Sequence, residues 1–261
     1  MGKLQAGILF TGSFGNLSAY RRADSGDIHV RLKSGPSRKA IKNSPRFEKV
    51  RQNNAEFGAR SSATKEIRRA LTHHWHVADY NFSGPLNALL HPIQKLDSNF
   101  PGKRSVFLSQ HRKLLEGFTL NQKFSLDNYV RARIACSLAR DTAQASVEIP
   151  TLYTGVNFFS PQPQPWFRFV VSLGSVSDRI FDEHKELYVA AAKTSGPKVI
   201  TTDWYFWGQP FEGTKLTLTG PSTLPDALTL ILTVGIEFGK PDVTGEVQPI
   251  KKGAAKIMAA V

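Results

Sequence analysis

Apolar and polar positions alternate most regularly at residues 28–33, where Ile28, Val30 and Leu32 are interleaved with His29, Arg31 and Lys33. A period of two predicts a strand with one apolar face and one cationic face. The preceding run, 17–22, and the turn residues Asp24-Ser25-Gly26-Asp27 make it the second strand of a hairpin, and Gly35-Pro36-Ser37 ends the pattern. The period then becomes helical. Ser44-Pro45 reads as an N-cap and first-turn proline, followed by Phe47, Val50, Asn54 and Phe57 at helical spacing, with Gly58 near the end. A second periodic run, Ile67, Leu71, Trp75 and Ala78, continues this helix or restarts at Thr64, with Lys65, Arg68 and Arg69 on its other side. A third helix is predicted over 85–96, capped by Ser83, with Leu86, Leu89, Leu90, Ile93 and Leu96 as its buried stripe and Pro92 as a kink.

From Arg104 onward strand patterns dominate. After a short run at 105–108, the runs 130–138 and 145–149 predict a hairpin turning near Arg140-Asp141. Pro161, Pro163 and Pro165 predict a stiff polar loop. The runs 166–173, 187–192, 199–207, 215–219, 227–238 and 254–261 complete about eight strands spaced as in antiparallel sandwiches or barrels. Residues 228–236 (LTLILTVGI) are apolar enough for a central strand. No helix–strand alternation supports a nucleotide-binding α/β sheet. The expectation is therefore an α+β chain in three parts: an extended glycine-rich arm (1–20), a basic hairpin and helical segment (21–113), and an antiparallel β-sandwich-like domain (114–261).

The arm carries Gly7, Gly12 and Gly15 among six large apolar residues, Ile8, Leu9, Phe10, Phe14, Leu17 and Tyr20. Such glycine density rules out a stable helix and leaves little room for a conventional strand. The six side chains must still be covered, either by the arm folding back on its own domain or by docking on a neighbouring copy, which makes them candidate subunit-interface residues. Met1-Gly2-Lys3-Leu4 with Gly7-Ile8-Leu9, then Gly15-Asn16, Tyr20, the basic hairpin and Arg51-x-Asn53-Asn54-x-Glu56-Phe57-Gly58 resemble the opening of a family of uncharacterised bacterial domains of unknown function. The resemblance covers roughly the first third by motif and brings no activity or site residues. It implies that arm, hairpin and helix form one recurring module.

Charge changes the picture. Of a net +13, residues 1–113 hold 20 Lys/Arg against 7 Asp/Glu, whereas 114–261 hold 14 against 14. The excess points to an anionic partner, a nucleic acid or another polyanion, with Arg21, Arg22, Arg31, Lys33, Arg38, Lys39, Lys42, Arg46, Lys49 and Arg51 as candidate phosphate contacts. At 261 residues and 41% apolar content the chain can bury one large core or two modest ones. Its single cysteine, Cys136, forbids an internal disulfide and reads as a core thiol. The apolar runs are too short for a membrane span, the start is too weak for a signal peptide, and Ala6 breaks a myristoylation motif, so a cytoplasmic protein is expected.

Candidate chemistry is sparse. His73-His74-Trp75-His76 lacks the i, i+4 pairing of a helical zinc site, so a helix-end cluster facing solvent or a neighbour is expected. Gly12-Ser13-Phe14-Gly15 lacks the Lys-Ser/Thr of a phosphate loop. Asp182, Glu183 and Glu186 read as a solvated connection. In Trp204-Tyr205-Phe206-Trp207, strand alternation sends one pair of rings to the core and the other to a surface. No nucleophile, base and orienting partner stand close in sequence, so neither an enzyme nor a cofactor or metal is expected. Two function classes remain: a structural protein assembling with copies of itself through the arm into a filament, tube, ring or shell, or a sequence-nonspecific nucleic-acid binder using the basic first third.

Overall fold

The structure is a computed structural model of the chain and describes residues 2–3, 10–33, 35–160 and 164–261. Ile8, Leu9, Pro161 and Pro163 lie outside the described residues, and with them part of the expected arm and loop. Two compact units divide after Arg51, Met1–Arg51 and Gln52–Val261, whereas composition placed its divisions after residues 20 and 113.

The first unit is a four-stranded antiparallel sheet, β1 (Gly2–Lys3), β2 (Gly12–Phe14), β3 (Leu17–Arg21) and β4 (Ile28–Leu32), in the order β1-β4-β3-β2, followed by a short helix, α1 (Arg38–Asn43). The β3–β4 hairpin forms at the predicted residues. The arm, however, is not extended throughout: the two-residue turn Gly15-Asn16, with Gly15 at φ +55°, folds β2 back onto β3. The glycines that weaken a strand interior here supply its turn. Helix α1 was not anticipated. Ser37 starts it by accepting the Ala40 N–H at 3.1 Å, and Arg51 Nη1 closes it by donating to the Ile41 and Ser44 carbonyls at 2.9 and 2.8 Å.

Helix α2 (Glu48–Ala70) runs on without a restart at Thr64, preceded by a 3₁₀ turn at Pro45–Phe47. Its buried face is not the predicted Phe47-Val50-Asn54-Phe57 stripe, since Val50 and Phe57 are exposed. Ala59, Ala63, Ile67 and Ala70 form it instead. Small side chains bring the helix close to its sheet, so the larger residues need not be the inward ones. After a 3₁₀ segment at Thr72–Val77 comes α3 (Ser83–Lys95). Phe82, not Ser83, occupies its N-cap position, and Asn81 Oδ1 takes the Ser83 N–H at 3.1 Å.

The second unit is a three-layered α+β fold. Helix α4 (Leu126–Tyr129) precedes β5 (Ala135–Ala139), β6 (Gln144–Ile149), β7 (Trp166–Ser177), β8 (Arg179–Asp182), β9 (Leu187–Ala190), β10 (Lys198–Thr201), β11 (Tyr205–Phe206), β12 (Thr214–Thr219), β13 (Leu228–Pro241) and β14 (Val247–Ala260). The central antiparallel sheet is ordered β10-β7-β13-β14, with β11 also pairing to β7. One face packs on the sheet β12-β6-β5 to make the β-sandwich-like core, with Phe167, Phe169, Val171 and Leu173 of β7 meeting Val147 and Ile149 of β6. The other face packs on α2 and α3, whose Ile67, Leu86, Leu90 and Ile93 share a core with Val176, Ile231, Ala255 and Ile257. Strand β13 is thus covered on both sides, which is why its sequence is continuously apolar rather than alternating. Approach of α2 is closest at Gly174, where an added Cβ would lie 2.5 Å from the Ala70 Cβ.

Candidate functional site

Antiparallel register sorts the small sheet into two faces. Phe14 opposes Leu17 and Leu17 opposes Leu32, so these three form a row across β2, β3 and β4, continued by Ala19, Val30 and Ile28. Ala19 and Ile28 are covered, but at the Gly15-Asn16 end Phe14 is 76% and Leu32 63% exposed, with Leu17 half-buried. Among the described residues β2 is an edge of its sheet, with no strand on its outer side beside the exposed Phe14 ring. Ala19 and Ile28 are the buried apolar side chains among the described residues of this unit.

The opposite face carries Ser13, Ser18, Arg31, Tyr20 and His29. Tyr20 stacks on His29 at 6.1 Å between ring centroids and lies 5.6 Å beneath the Arg31 guanidinium. Of the six candidate interface residues, Phe14 and Leu17 therefore come together, Phe10 is half-buried, and Tyr20 points the other way. Leu32 completes the apolar row; its place in the 28–33 alternation was the signal that identified it.

The ten candidate phosphate contacts all belong to this first unit, which holds 11 Lys/Arg against 3 Asp/Glu. Nine are exposed. Arg51 is half-buried and holds the α1 carbonyls; Arg22 pairs with Asp24, and Lys33 Nζ donates to the Gly15 carbonyl at 2.9 Å.

In the second unit His74 turns to the sheet instead of to solvent or a neighbour, and the partly exposed His76 reaches Glu237 of β13. His74 is fully buried, with Nε2 2.9 Å from Ser172 Oγ, and an added Cβ at Gly235 would lie 2.6 Å from its Nδ1. Burial pushes its pKa down to about 3, and His73 and His76 add to the depression against the opposing pull of Glu237. His76 Nε2 lies 2.8 Å from Glu237, which Arg168 also holds at 2.8 Å. Burial alone would raise the Glu237 carboxyl, but these two partners hold it below the usual range. Among the described residues no group of three or more metal-ligating side chains converges.

Burial pushes the half-buried Cys136 thiol up to about 11, which leaves it protonated and unreactive at neutral pH. The aromatic run divides as alternation requires: Tyr205 and Trp207 pack on the sandwich core, while Trp204 lies under Arg168 at 4.5 Å and Phe206 stays exposed.

A concave site arises where sequence reading placed none. Between α2 and α3 lies a cleft of about 680 Å³, into which face Arg60, Thr64, Lys65 and Arg68 from α2 and Asn87 and His91 from α3. No carboxylate lines it. Spacing of 60, 64 and 68 along one helix face could have shown the convergence, but nothing in the sequence says that α3 packs beside that face.

Among the described residues no helix is long and apolar enough to cross a membrane. Comparison with protein-family models, curated proteins and solved structures finds no match to this chain.

Proposed function

We propose that this chain is a self-assembling structural protein whose first unit docks on a second copy. The observation that carries the reading is the apolar row Phe14-Leu17-Leu32, whose Phe14 and Leu32 are open to solvent at the end of a sheet in which edge strand β2 has no partner strand on its outer side among the described residues. An exposed ring and an exposed leucine beside a sheet edge offer a partner both apolar burial and backbone hydrogen bonds. A second copy is the occupant that supplies such a contact at every subunit, and a head-to-tail arrangement repeats into a ring or filament. The small number of buried apolar side chains among the unit's described residues supports the same reading, because docking would bury Phe14 and Leu32.

The decisive variant is Phe14→Asp with Leu32→Asp, followed by analytical sedimentation at micromolar concentration. Charging the row desolvates two carboxylates on docking, so the assembly is expected to fall to monomers while circular dichroism of the second unit is unchanged. An assembly of unaltered size in the double variant would sink the proposal.

A second reading draws on a separate observation, the exposure of nine cations in a unit with 11 Lys/Arg against 3 Asp/Glu. On that reading the first unit holds a nucleic acid through its phosphates. Charge reversal at Arg38, Lys39 and Lys42 should then weaken polyanion binding and flatten its dependence on salt, while leaving assembly through the apolar row intact.

A further inference from the structure

We propose that the cleft between α2 and α3 binds a phosphoryl group carried by a small organic molecule. The cleft belongs to the second unit, and this inference does not depend on the assembly reading.

Three lining side chains hold a polar atom that is shut off from solvent and unmatched among the described residues: Thr64 Oγ1, Arg68 Nε and His91 Nδ1. Thr64 is the sharpest case. Only 4% of it is exposed, and its hydroxyl lacks even the helical carbonyl that a mid-helix threonine ordinarily takes. A buried hydroxyl without a partner costs about 1–3 kcal/mol, so a site that keeps one is explained by a ligand that completes it.

The surrounding charges state what that ligand is. Arg60 donates Nε to Asn87 Oδ1 at 3.3 Å and Nη1 to Gln94 Oε1, both neutral acceptors, so these bonds position its charge without cancelling it. Arg68 is held by ring faces, 4.8 Å from the Trp75 centroid and 5.5 Å from that of Phe82. Stacking fixes the guanidinium plane and leaves its N–H edge for an anion. The carboxylate that acts on Arg60 and His91, Glu56, already accepts the Gly102 N–H at 2.8 Å and lies 3.7 Å from Arg104 Nε. The first turn of α3 opens onto the cleft through Ser83 and Gly84, and no acidic residue in that turn offsets its dipole. Two guanidinium groups, a lysine, a hydroxyl and a helix N-terminus are the donor set of a phosphate site.

Size and rim specify the remainder of the ligand. A bare phosphate fills little of about 680 Å³, a volume in the range of small-molecule sites. Phe57 and Ala88 line the cleft beside the cations, and Phe57 is exposed. A planar or apolar organic group on the phosphate would cover that ring.

Phenyl phosphate is the probe, titrated calorimetrically into the full chain at low salt, with Arg38→Gln in the first unit as a control for nonspecific attraction. Saturable binding is expected. Arg68→Gln should weaken it about tenfold or more, and Thr64→Val about fivefold, from loss of hydrogen bonds to a charged group. Thr64→Val should also leave the ligand-free melting temperature equal or higher, because the isosteric methyl removes an unmatched hydroxyl; this readout separates a binding role from a purely structural one. Arg38→Gln should bind as the parent does. Absence of saturable binding at millimolar probe, or binding that both Arg68→Gln and Thr64→Val leave unchanged, would overturn the assignment.

Discussion

Burial fixes the protonation state of His74. Its ring is enclosed between the helical layer and β7, where Ser172 supplies one partner and the pull of Glu237 does not make up for the water lost. The folded-state pKa of about 3 lies below the ordinary 6.5, so the unfolded chain binds a proton in a window where the folded chain does not. Stability from this residue is therefore fully present above pH 6.5 and is lost as pH falls toward 3, by roughly 1.4 kcal/mol for each pH unit inside the window. Urea denaturation at pH 7 and pH 5 should differ by about 2 kcal/mol on this account. In His74→Gln the difference should shrink while stability at pH 7 also falls. An unchanged pH dependence in the variant would show that other groups carry the acid sensitivity. The sequence set three histidines in a row of four but could not say which would be enclosed, because the choice depends on a 3₁₀ turn that directs His74 at Ser172, 98 positions away.

At the scale of elements, the contact between α2 and β7 is set by what is missing. Gly174 has no side chain where Ala70 passes, and Gly174→Ala would force its Cβ to 2.5 Å from the Ala70 Cβ and 2.8 Å from the Ala70 Cα. Neither of those atoms can rotate aside. The substitution should cost about 2–3 kcal/mol, read as a lowered denaturation midpoint with an unchanged slope; a neutral effect would mean that the helix can shift from the sheet without loss. Strands of strong period, β3, β4, β7 and β13, were legible to within a few residues, because alternation or continuous burial leaves its mark on every position. Helix α2 was legible as a helix, but whether it ran past Gly58 was not, and its orientation was legible only in the second half, where Ile67 is buried as its spacing predicts; in the first half Val50 and Phe57 lie outward and the core face is written in alanines. The small strand β2 was obscured by the glycines that make its turn, and β8 by its four-residue length. The cleft between α2 and α3 was not legible at all, because its donors are 31 positions apart at their extremes, from Arg60 to His91, and meet only through helix packing.

For the whole molecule, two units stand where the sequence reading expected three parts. The second unit buries a sandwich core and a helix–sheet core, and supplies its own stability. The first unit concentrates the positive charge, buries few apolar side chains among its described residues, and leaves Phe14 and Leu32 exposed. Self-assembly accounts for both the open apolar row and the open edge strand, while polyanion binding accounts for the charge and leaves the row unexplained. The most direct measurement is the particle mass of the purified full chain by multi-angle light scattering, at low and at high salt, with absorbance at 260 nm recorded on the same peak. The account predicts a mass several times that of one chain, free of nucleic acid and maintained at high salt, because apolar burial is not screened by ions. A monomer that carries nucleic acid at low salt and sheds it at high salt would contradict it.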